Sequence, residues 1–170
     1  MFGRWLRSQA PREDLSGGSA LHASVARELP GADPETVAVV TSITGLLGIV
    51  AYADRLYSQA EEGRVRQELE RVSGMTVAGV EAICTTLREH IVEISAVQLP
   101  RYTRALLELG DEELRREVLG ALIDLAAADE SISLAETNLL RQITKSLGLS
   151  QNDYVELQER HRHQLQSLKR

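Results

Sequence analysis

The 170-residue chain carries 19 Lys and Arg against 25 Asp and Glu, a formal net charge of −6, with 4% aromatic residues and one cysteine. That balance excludes a general nucleic-acid binder, which needs a basic face, and the lone Cys84 excludes an internal disulfide or a thiolate zinc cluster. Scarce aromatics with abundant Leu, Ala, Val and Ile favour packed helices over a sheet, and the length suits about one domain.

Residues 1–33 read as a leader that is partly disordered. Ser16-Gly17-Gly18-Ser19 is a flexible joint, Ala20 to Leu29 can form a short helix, and Pro30-Gly31-Ala32-Asp33-Pro34 is a stop. Met1 to Arg7 is too polar for a secretory signal. It holds Phe2 and Trp5, the only Phe and Trp of the chain, beside Arg4 and Arg7. The leader reads either as a frayed tail or as a short amphipathic peptide for a protein partner or weak membrane association at an anionic lipid surface.

The globular part starts at Asp33, which caps a helix with Pro34 in its first turn and Glu35 complementing the dipole. No charge occurs between Glu35 and Asp54. Thr36, Thr41, Ser42, Thr44, Gly45 and Gly48 dilute that run, so it reads as a central helix covered by protein, not a transmembrane span. A second helix opens at Ser58 with one apolar stripe, Val65, Leu69 and Val72, and closes at Ser73-Gly74. A third is capped by Thr76, with Val77, Val80, Ile83, Cys84, Leu87, Ile91 and Ile94 recurring at three and four as its buried stripe. Cys84 on that stripe reads as a small buried hydrophobe.

Pro100 divides the halves. A short helix over 101–109 leads to Asp111, the cap of a helix reaching Ala128. Ser133 opens the next, and Ser150 caps the last, on which Tyr154, Leu157, His161, Leu165 and Leu168 form one stripe. Nothing alternates like a strand. The expected fold is all-α: a single bundle of about seven helices over 34–168, built from two related halves, about 34–99 and 101–168.

The halves repeat a phrase. Ala51-Tyr52-Ala53-Asp54, Ser58 and Glu61 recur as Ala126-Ala127-Ala128-Asp129, Ser133 and Glu136, at a spacing that fits a duplicated helical hairpin. Both Ser–Glu pairs are capping boxes, and both Asp residues suit solvated turns. The same geometry permits a second reading. Asp54, Glu61, Asp129 and Glu136 flank two tight elbows, and four converging carboxylates would repel unless a cation neutralised them. Oxygen donors favour calcium, magnesium or manganese, with Glu62, Asp124 and Glu130 as extra acids nearby. An EF-hand is excluded. Counted from Asp129, the sixth position is Leu134 where Gly is needed and the twelfth is Leu140 where an acid is needed; counted from Asp54, the twelfth is Val65.

Ala-x-Ala-Asp with Glu seven residues later, occurring twice, resembles the tellurite-resistance TerB-like family, which includes the N-terminal domain of DjlA-type co-chaperones. The likeness spans about residues 34–168. It is closest at Arg101-Tyr102-Thr103-Arg104, Leu140-Arg141-Gln142-Ile143, Leu147-Gly148-Leu149-Ser150 and Asp153-Tyr154. The resemblance implies a non-enzymatic helical domain with an acidic, metal-linked face, serving stress-response or membrane-associated complexes. Carried over, its acids are Asp54, Glu61, Asp129 and Glu136. The family's Gly after each Asp is replaced by Arg55 and Glu130, and the cation beside Asp54 makes the second half the better metal site.

No nucleophile–base–orienter set is legible, no glycine loop has the Gly-Lys-Ser/Thr context of a phosphate cradle, and His161 and His163 point in different directions along their helix. Two functions are expected of a cytoplasmic protein: binding a divalent cation or a basic partner through the acidic turns, or, without metal, acting as an interaction module of the co-chaperone-accessory type. The second type cannot itself stimulate a chaperone as a J-domain does, because no His-Pro-Asp is present.

Overall fold

The computed structural model describes residues 17–129 and 132–168. Its centre is the uncharged helix. Asp33 accepts from the Thr36 amide at 2.8 Å, which holds its carboxyl below the usual range, and Pro34 fills the first turn. The helix runs Pro34–Ala51 (α2) and is buried almost continuously from Val40 to Ala51. Its polar side chains are satisfied within the helix: Thr41, Ser42 and Thr44 donate to the carbonyls of Val37, Ala38 and Val40 at 2.7–2.8 Å. Buried hydroxyls therefore carry no desolvation penalty. Among the described helices α2 alone is long and apolar enough to cross a membrane, with mean hydropathy 1.6, and 67% of that window is buried.

Seven further helices surround or extend this one: α1 (Gly17–Glu28), α3 (Gln59–Glu70), α4 (Val77–Val97), α5 (Leu99–Leu109), α6 (Glu112–Ala126), α7 (Leu134–Ser146) and α8 (Gln151–Leu168). No strand occurs among the described residues. The seven helices expected from Pro34 onward are all present, and the eighth is α1. It is not a loose leader: Leu21 and Val25 have no exposed surface, Leu29 is buried, and the helix packs along α4 and α2. Gly17 to Ser19, expected as a joint, form its first turn. A Cβ on Gly18 would fall 2.5 Å from the Gln98 side chain, so a small residue serves close packing there. Residues 1–16, which hold Phe2 and Trp5, lie outside the described residues.

Caps delimit the other helices. Thr76 and Asp111 accept from the amides of Gly79 and Leu114, three residues on, and Val77, expected on the buried stripe of α4, is instead exposed in its first turn. α7 ends in a Schellman motif: Gly148 stands at φ +69°, its amide reaches Lys145, and the Leu149 amide reaches Thr144. Cys84 is fully buried, and burial pushes its thiol up to about 11, as a packing residue rather than a nucleophile. On α8, Tyr154 and Leu157 are buried and His161 partly so; the side chains of Leu165 and Leu168 lie outside the description.

Two glycines of α2 leave room for its neighbours. Tyr102 of α5 lies across Gly45, where a Cβ would come within 2.1 Å of the ring, and Leu87 and Ile91 of α4 press on Gly48. Tyr102 is buried, its phenol pushed up to about 12. Gly45→Ala should therefore overpack the centre and cost roughly 1–3 kcal/mol in urea unfolding. Combining it with Tyr102→Leu should cost less than the sum of the two single changes, since the same ring causes the clash.

Candidate functional site: two acidic elbows

Each elbow joins a helix that dives through the core to a charged surface helix. At the first, α2 unwinds after Ala51, and the Asp54 carboxylate turns back to accept from the Leu56 amide at 2.9 Å. Between them Arg55 adopts φ +68°, the only described non-glycine residue at positive φ. That is the position where glycine was expected from the resemblance, and the chain keeps the glycine-like turn with a Cβ in it. Ser58 then caps α3: its hydroxyl accepts from the Glu61 amide at 3.2 Å, and Glu61 Oε2 takes the Ser58 amide at 2.8 Å and hydroxyl at 2.9 Å.

The second elbow has the same exit. After α6, Ala127–Asp129 form one 3-10 turn, and Ser133 caps α7. The Glu136 amide donates to the Ser133 hydroxyl at 3.2 Å, and the Ser133 amide donates to Glu136 Oε2 at 2.7 Å. Glu130, Ser131 and the side chain of Asp129 lie outside the described residues. Both glutamates are buried, while Asp54 is exposed. Each Ser–Glu pair is thus brought together by its cap. No group of three or more His, Cys, Asp or Glu suited to a metal occurs among the described residues. The donor chemistry remains that of hard cations: a carboxylate offers about four acceptor positions, and the Glu136 cap takes one of them.

Ile43 of α2 lines a groove with residues 112–124 of α6, and Leu47, one turn farther on, lines a smaller cavity with Ala121 and Leu125. Beyond the end of α2, Tyr52, Ala53 and Arg55 line a cavity of about 290 Å³ with Leu139 and Gln142 of α7. Leu139 stands about 9 Å along α7 from the Ser133 cap, at 1.5 Å per residue.

The acids beside the elbows are engaged elsewhere. Glu62 is gripped by Arg88 at 2.6 and 2.9 Å and by Arg66 at 3.2 Å, while Arg66 also reaches Glu81. The Arg88 hydrogen bonds, more than its charge, hold the Glu62 carboxyl below its usual range. Asp124 meets His161 Nδ1 at 2.5 Å. The ring's Nε2 is shut from solvent and has no partner among the described residues. Neither pairing follows from local spacing, since the partners are 26 and 37 positions apart.

A protein-family model described as tellurite resistance protein TerB matches residues 40–159. No curated protein and no solved structure matches the chain.

Two outcomes test this geometry. Arg55→Gly relieves a left-handed residue at some cost in backbone entropy, so thermal or urea unfolding should show a net gain of roughly 0.5–1 kcal/mol. Glu62 has its folded pKa lowered, so its contribution is present above the unfolded carboxyl value of about 4.3 and is lost as pH falls below it. Between about pH 5 and pH 3 the parent should lose more unfolding free energy than Glu62→Gln.

Proposed function

This chain belongs to the TerB family, and from that membership we propose that it is a non-enzymatic helical domain of a cytoplasmic stress-response or membrane-associated complex, of the tellurite-resistance kind, whose acidic elbows bind a divalent cation or a basic partner. The reading takes the halves as related hairpins. The observation that supports it is the shared cap: Ser58–Glu61 and Ser133–Glu136 make the same reciprocal hydrogen bonds at the starts of α3 and α7. Each cap holds a glutamate carboxylate still, so less side-chain freedom is lost when a ligand arrives.

In this reading Asp129 and Glu136 are the principal ligands, with Asp54 and Glu61 supporting. Calcium, magnesium or manganese would neutralise carboxylates that otherwise repel one another. Arg55 sets a positive charge at the first elbow, which favours the second.

A metal-free interaction module is the second reading. One observation favours it: Glu61 and Glu136 each already give an oxygen to a backbone amide, which accounts for both glutamates structurally.

Titrating the full chain with each cation, by calorimetry and by thermal melting, separates the two. Metal binding predicts heat and a rise in Tm, worth about 2.7 kcal/mol at a hundredfold excess over Kd. Asp129→Asn should abolish the rise while leaving the apo melt in place. Absence of heat with all three cations removes the metal and leaves the interaction module.

A further inference from the structure

A wide concavity lies away from the four elbow acids. It is a groove of about 940 Å³ between the C-terminal end of α3, the outer face of α6 and the second half of α8. Its floor is apolar: Ile43, Val72, Ala121 and Leu157. Gly120 lies in that floor with room above it; a Cβ there would meet only Leu157, at an ordinary 3.8 Å. Small residues in a floor let a helical backbone approach closely.

The rim is acidic. Glu112, Glu113 and Glu117 line it, are exposed, and carry no ion pair among the described residues. Three arginines line the groove with them, Arg71, Arg116 and Arg160. Arg116 is turned away to Asp153 and Glu156 of α8, and Arg71 is paired with Glu68. From Glu112 to Asp124 the α6 wall extends about 18 Å, more than three helical turns.

We propose that this groove seats a basic amphipathic helix of a partner protein, its apolar stripe on Ile43, Val72, Gly120, Ala121 and Leu157 and its Lys or Arg residues against Glu112, Glu113 and Glu117. An apolar floor under a lining in which five acids (Glu68, Glu112, Glu113, Glu117 and Asp124) outnumber three arginines matches a helix with one apolar stripe and basic flanks. A second copy is a poorer occupant, because each copy carries a net charge of −6 and its own rim would meet like charge.

The proposed contacts use none of the four elbow acids, so the two assignments fail independently. The probe is a labelled synthetic helix of about 18 residues with Leu at i, i+3, i+4 and i+7 spacing and Lys or Arg elsewhere. Its affinity for the full chain is read by fluorescence anisotropy. Binding should weaken about tenfold or more in the triple variant E112Q/E113Q/E117Q, by an amount that shrinks at high salt. Gly120→Leu, which fills the floor without touching charge, should abolish binding while the far-UV spectrum and melt stay native-like. E89Q/E93Q, on an exposed face of α4 outside the groove, and Asp129→Asn should leave binding unchanged. Equal affinity for parent and triple variant, binding that survives Gly120→Leu, or no binding to the parent would each overturn the proposal. So would binding that appears only after residues 1–16 are removed, which would assign the groove to the chain's own N-terminus.

Discussion

Everything in this molecule is arranged around one helix that has no face for water. α2 carries no charge between Glu35 and Asp54, and from Val40 onward almost every residue is covered. Two physical conditions make that tolerable. Its hydroxyls must be satisfied without outside partners, and they are, each bonded one turn back along the same helix. Its neighbours must come close enough to exclude solvent, which Gly45 and Gly48 permit by leaving notches for Tyr102, Leu87 and Ile91. Helices α1, α4, α5 and α6 then pack around it, and the elbows inherit their positions from where α2 and α6 end.

The architecture was legible because its signals are local. Asp33, Ser58, Thr76, Asp111 and Ser133 each cap the helix their neighbours imply, and each capping hydrogen bond lies within three residues. Pro100 and Gly148 mark their boundaries for equally local reasons. In the N-terminal stretch the helix over 20–29 was legible, and what was missed is that it starts at Gly17 and is buried. Gly17 and Gly18 look like a hinge until Gln98, eighty positions away, is seen to need the room. Val25 and Leu29 form a short stripe whose burial depends on α4, which no nearby residue announces.

The elbows divide in the same way. The reciprocal Ser–Glu caps follow from sequence spacing and are present in both places. What surrounds them was not legible. Glu62 read as a spare acid, yet two arginines hold it, one from α4. His161 read as a filler on an apolar stripe, and its ring meets Asp124 across the α6–α8 packing. These pairings depend on which helix lies beside which. The acidic rim of α6 is similar: Glu112 and Glu113 look like ordinary complements to a helix dipole, and only the courses of α3 and α8 make their surface concave.

The burial of α2 also carries a cost in time. Translation delivers this apolar segment long before its cover, since the ring that closes over Gly45 comes 57 positions later, at Tyr102. At roughly 5–20 residues per second the ribosome takes several seconds to bridge that gap. Through that interval the nascent chain displays a stretch whose length and hydropathy match those of a bilayer-crossing helix.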